Sequence, residues 1–116
     1  EVLVVEEVDV LDTTDDRWMP LTQMPQAIVG CAAAVLGGRI YAAGGQLDRC
    51  VLNTLFMFDP SAKEDWRALA QMSSRRSLCV TVAGGGFLYV TGGHDHMEQP
   101  RGSMEMYDPE VDRWTK

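Results

Sequence analysis

The chain has 116 residues, 46% of them apolar, and its 10 Lys and Arg against 17 Asp and Glu leave a formal charge of −7. That balance offers no basic face for nucleic acid or an anionic membrane surface, and no apolar run approaches a bilayer span. Neither nucleic acid nor membrane is therefore expected as a partner.

The charge is concentrated at the start, where Glu1, Glu6, Glu7, Asp9, Asp12, Asp15 and Asp16 face Arg17 alone. Such a stretch reads as a solvated strand edge and turn, or as a partner-facing patch. Val2-Leu3-Val4-Val5 is strand-like and stays open between an apolar loop and a shortened unit. Glu7 to Leu11 and the segment around Trp18 then read as two strands.

Trp18 returns as Trp66 and again as Trp114, the same step each time. Met24 returns as Met72, Cys31 as Cys79, Tyr41 as Tyr89, and Gly44-Gly45 as Gly92-Gly93. A period of about 40–50 residues with strand-like contents is one β unit repeated, and such units stack or close into a ring. Nothing in the chain repeats apolar residues at helical spacing.

The fullest unit runs from Gln26 to Ala70. Cys31 to Leu36 is a small-residue apolar run, Gly37-Gly38 permits a tight hairpin, and Arg39 to Ala43 is a second strand ended by Gly44-Gly45. A polar loop, Gln46 to Asn53, leads to a third strand at Thr54 to Phe58. Asp59-Pro60 is turn chemistry, and Trp66 to Leu69 is the fourth strand. The next unit repeats the order with strands at Ser77 to Ala83, Phe87 to Thr91, Ser103 to Tyr107 and around Trp114. Four antiparallel strands make one sheet. Its Gly pair admits close backbone approach, and its Trp fills the gap where neighbouring sheets diverge.

Little here carries catalytic chemistry. Gly84-Gly85-Gly86 lacks the Lys and following helix of a phosphate cradle, so it reads as a hairpin. His94-Asp95-His96 has ligand character, but zinc needs three or four ligands and no Cys is near in sequence. Ser73, Ser74, His94 and Asp95 reveal no nucleophile–base arrangement. Cys31 and Cys79 share one place in successive units, which argues for packing, and Cys50 lies in a polar loop beside Arg49. An odd, unpaired set fits a reducing compartment, so a cytoplasmic location is expected. No cofactor and no metal are expected.

Strand direction alternates, so the loops after each second strand and the segments between units share one rim of the assembly. Gln46, Asp48, Arg49, Ser74, Arg75, Arg76, His94, His96 and Arg101 are the contact residues expected there. The other rim carries the Gly-Gly hairpins and Asp-Pro turns, which read as structural.

Gly-Gly after a strand, then Asp-Pro, with Tyr107 seven residues before Trp114, together resemble the kelch repeat. Phe58, eight residues before Trp66, stands where the family usually has Tyr, and Leu11 and Thr13 replace the Tyr and Pro of the first unit. The resemblance covers nearly the whole chain. It implies an all-β propeller fragment of about two and a half four-stranded blades. Residues 1–22 would supply the outer strands of a partial blade, 26–70 a complete blade, and 74–116 a nearly complete one. A piece of a longer protein is expected, poorly folded alone or associating through its open ends. The resemblance implies protein–protein interaction rather than enzyme activity. Many animal kelch proteins join a BTB domain that docks on cullin-type ubiquitin ligases, although no BTB sequence is present here. Others bind actin, and some kelch-fold propellers are oxidases or sugar isomerases, so these remain alternatives. In kelch receptors the loop-rich rim often grips acidic peptide groups with Arg and Ser, and Arg75 or Arg76 matches the inter-blade Arg of such members.

Overall fold

Paired glycines set the geometry of both complete units. Gly37 and Gly38 take φ of 59° and 75°, and Gly85 and Gly86 take 60° and 85°. These are values that a two-residue hairpin turn demands and that only glycine adopts freely. The computed structural model describes residues 8–62, 64–95, 100 and 102–116; the open question over Val2 to Val5 lies outside them. Strand β1 (Val8–Asp12) pairs antiparallel with β2 (Arg17–Leu21). Next come β3 (Ala32–Leu36), β4 (Arg39–Ala43), β5 (Gln46–Leu47), β6 (Cys50–Val51), β7 (Leu55–Phe58) and β8 (Arg67–Ala68). The last unit is β9 (Val80–Gly84), β10 (Phe87–Thr91), β11 (Met104–Asp108) and β12 (Arg113–Thr115).

The sheets are ordered β3-β4-β7-β8 and β9-β10-β11-β12, all antiparallel, with β1-β2 as a separate pair. The first strands, β3 and β9, run side by side, so the two sheets fan out from a common edge. This all-β, helix-free arrangement among the described residues is an arc of a β-propeller. Two departures from the sequence expectation stand out. The Gln46–Asn53 loop contains its own small hairpin, β5-β6. Strand β9 begins at Val80 rather than Ser77, because Ser77 and Leu78 bond to neighbouring loops instead.

The core lies between the two blades. Tyr41, Ala43 and Leu55 from the first blade meet Leu88, Val90 and Tyr107 from the second, with Met72 of the linking segment among them. The tryptophans occupy matching places. Trp66 Nε1 donates to the Thr22 carbonyl at 3.0 Å, and Trp114 Nε1 donates to the Ala70 carbonyl at 2.7 Å. Their rings lie 5.3 Å from Phe58 and 5.1 Å from Tyr107. Trp18 sits opposite Leu11 as Trp114 sits opposite Tyr107, so the register of the partial blade is that of its neighbours. Sandwiching predicts continuous apolar strands at the inner edge, yet β3 and β9 alternate in exposure. Each has one face against the other blade; Val35 on β3, and Val80 and Val82 on β9, are exposed.

Candidate functional site at the loop-rich rim

The linking segment from Leu69 to Cys79 is stitched to the loop that follows β4. Met72 N donates to Asn53 O at 2.8 Å, Arg76 N to Leu52 O at 2.9 Å, and Gly45 N to Arg76 O at 2.7 Å. Asn53 Nδ2 returns a bond to the Met72 carbonyl at 3.1 Å. Further in, Ser77 exchanges two backbone bonds with His94, and Val29 exchanges two with Gln46. Loops after second strands and segments between blades therefore meet at one rim.

Arg76 requires a correction. Sequence reasoning groups it with Arg75 as a contact residue, but its side chain is fully buried. Nη1 donates to Gly92 O at 3.0 Å and Ser103 O at 2.8 Å, Nη2 donates to Ser103 Oγ at 2.7 Å, and Nη2 lies 3.3 Å from Glu105 Oε2. Glu105 is equally buried. It also accepts from Ser73 N and Oγ, both at 2.8 Å, and from Ser74 N at 3.2 Å. Arg76 thus holds the first blade by its backbone and the second by its side chain. Successive residues of an extended segment point to opposite sides, which sends Arg76 inward and Arg75 outward. The missed signal was Glu105 itself. It lies two residues from Tyr107 and so shares that residue's inward face, where an acid needs a buried cation.

The first blade meets the same place without charge. Ile40 opposite Phe58 matches Leu88 opposite Tyr107, so Phe56 matches Glu105 and Thr54 matches Ser103, while Ile28 matches Arg76. Among the described residues Thr54 Oγ1 is buried with no partner, whereas Ser103 Oγ accepts from Arg76. Thr54→Val should therefore stabilise the protein by about 1 kcal/mol, because an orphaned buried hydroxyl costs about that much or more. Urea unfolding of the full-length protein checks this; a lowered midpoint would contradict it.

A second link ties the outer rim. Tyr107 OH donates to Asp112 Oδ1 at 2.6 Å, and Ala70 N donates to the same oxygen at 2.9 Å. The Tyr107 hydroxyl and the Ala70 amide hold the Asp112 carboxyl below its ordinary range. Burial first, and Asp112 second, push the Tyr107 phenol up. Burial also raises the thiols of Cys31 and Cys79, consistent with packing roles, and all three cysteines are free.

What remains outward is a short list. Arg49 and Arg75 are exposed and line one cleft of about 300 Å³ with Cys50 and Val51. Arg75 Nη1 donates to Val51 O at 3.1 Å, and neither guanidinium is paired with an acid among the described residues. A neighbouring cleft of about 320 Å³ is lined by Ala27, Val29, Gln46, Leu47 and Asp48. Gln46 Nε2 donates to Asp48 O at 3.0 Å, and Asp48 is exposed with φ of 55°. Ser74 is half-buried, its amide committed to Glu105. His94 is half-buried with Nδ1 3.0 Å from the Asp95 carbonyl. His96 and Arg101 lie outside the described residues. Among the described residues no three His, Cys, Asp or Glu side chains converge as metal ligands.

The Kelch motif family model matches residues 27–73 and again 75–116. The chain belongs to the kelch-repeat family. It is 30% identical to Kelch-like protein 25 of Xenopus tropicalis over 95% of its length, and 30% identical to human Kelch-like protein 23 over 94%. It is 34% identical to human Kelch-like protein 33 over 92%. The chain spans only 18%, 19% and 20% of those three relatives. On the opposite rim of this kelch arc, Arg39 pairs with Asp59 at 3.4 Å, and Asp59 accepts from Ser61 N and Oγ. Those contacts close the Asp-Pro turn.

Proposed function

We propose that this kelch arc recruits a protein partner at its loop-rich rim, and that Arg49 and Arg75 hold an acidic segment of that partner. One observation carries the reading: two exposed guanidiniums line a single cleft with no acid paired to them among the described residues, while the neighbouring Arg76 is wholly occupied inside. Guanidinium forks suit carboxylates through paired, charge-assisted hydrogen bonds. Gln46, Asp48, Ser74 and His94 border the same rim, and the proposal includes His96 and Arg101 on the sequence alone. The role is binding rather than catalysis. We extend the proposal to the whole protein as a cytoplasmic substrate receptor of a cullin-type ubiquitin ligase, docking through a domain not in this chain. Kinship with Kelch-like proteins and three unpaired cysteines support it.

The test is affinity purification of the full-length protein carrying Arg49→Ala and Arg75→Ala, with quantitative mass spectrometry. Loss of one or more charge-assisted contacts should lower recovery of the rim partner about tenfold or more. Cullin recovery should stay unchanged, since it is reached elsewhere. Undiminished recovery of every partner would contradict the rim assignment; absence of any cullin would contradict the ligase role alone.

A further inference from the structure

We propose that Glu105, acting through Ser73 and Ser74, is the positioning residue of the rim: its buried carboxylate fixes the stretch of chain that carries Arg75, so that this guanidinium meets the partner's acid already in place. The inference rests on the recruitment reading above and names what prepares its cleft.

Glu105 divides one carboxylate between two tasks. Its Oε2 faces the Arg76 guanidinium at 3.3 Å, while Oε1 accepts from Ser73 N and Ser73 Oγ, both at 2.8 Å. Ser74 N reaches Oε2 at 3.2 Å. The bonds from the serines all fall on the two residues immediately before Arg75. Immediately after it, Arg76 N donates to Leu52 O at 2.9 Å. Arg75 itself is tethered, Nη1 to Val51 O at 3.1 Å. It is thus an exposed side chain on a backbone held on both sides. The bonds to the buried carboxylate are the strongest of these holds, because the acceptor is charged and the site is dry.

The first unit is a natural control. There the matching stretch reads Pro25-Gln26-Ala27-Ile28 against Ser73-Ser74-Arg75-Arg76, and Phe56 stands for Glu105. Pro25 has no N–H to give, and Phe56 has no oxygen to receive one. That blade nevertheless joins the preceding strands, with Trp66 Nε1 on the Thr22 carbonyl. Docking of blades therefore does not require the serine bonds. They occur where the outward position holds arginine, and they are missing where it holds alanine. A long side chain kept near its bound orientation binds more tightly, because less freedom is lost when the partner arrives.

Peptides selected from a random display library on the full-length protein are the probe, the tightest being kept so that binding to Arg75→Ala stays measurable. Ser73→Ala removes one bond to Glu105 and leaves the Arg76 pair intact. It should weaken those peptides about three- to tenfold. In the Arg75→Ala background the same change should alter nothing further. Gly37→Ala, strained on the opposite rim, should melt lower than the parent and bind as the parent does. Equal affinity of the parent and Ser73→Ala overturns the inference and leaves recruitment standing. So does an equal loss in the Arg75→Ala background, which would mean that Ser73 touches the peptide directly. A loss matched by Gly37→Ala overturns it as general destabilisation. Peptides indifferent to Arg49 and Arg75, or no selected peptide at all, overturn recruitment and this inference together.

Discussion

Glu105→Ala in the full-length protein should cost about 3–5 kcal/mol, because it strands the Arg76 guanidinium in a buried site without its counter-charge. Domains are stable by only about 5–15 kcal/mol, so the loss approaches the whole margin. The damage spreads beyond one ion pair. Glu105 also fastens Ser73 and Ser74, which belong to the segment joining the blades. Arg76→Ala should be similarly severe, since it leaves Glu105 buried as an unpaired acid. The first blade shows the alternative solution, with Ile28 and Phe56 in the matching places. Arg76→Ile combined with Glu105→Phe should therefore cost less than either single change to alanine, as apolar replacement of a buried ion pair is often near neutral. Chemical unfolding of the parent, Arg76→Ile, Glu105→Phe and the protein carrying both changes forms a double-mutant cycle. Strictly additive costs would contradict the coupling.

Gly44→Ala should cost about 3 kcal/mol or more, the next largest effect expected. A Cβ on Gly44 would collide with the Arg76 carbonyl, the same carbonyl that accepts from Gly45 N. Its φ of 67° adds the left-handed penalty of about 1–2 kcal/mol. Gly93, which matches Gly45, is also crowded, its Cβ falling 2.6 Å from Ser77 O. Gly37 separates the two causes. It has a similar φ of 59° but nothing within 4 Å, so Gly37→Ala should pay the backbone penalty alone. Equal melting temperatures for Gly37→Ala and Gly44→Ala would show that close approach contributes nothing.

Most of the fold was legible because each repeat states it locally. The boundaries of β4 and β10 were read without error, since a Gly pair stands at either end of β4 and glycines likewise bracket β10. The shared rim was legible from strand alternation alone. Two features were not. The β5-β6 hairpin is two residues per strand, too short for any period to register. The inward turn of Arg76 depends on which way one residue of a linking segment faces, and adjacent arginines give no local reason to choose. The meaning of Thr54 is visible only once equivalent positions in two blades are compared. The orphan hydroxyl in one blade is explained by an arginine in the other.

Arg75 and Arg76 stand side by side, yet the account gives them opposite tasks. Both should be changed to alanine, one at a time, in the full-length protein, with melting temperature and partner recovery measured on each sample. Arg75→Ala is predicted to melt with the parent while losing its rim partner; Arg76→Ala is predicted to melt far lower. An Arg76→Ala protein as stable as the parent, or an Arg75→Ala protein that unfolds, would contradict the division between blade-locking and recognition on which the account stands.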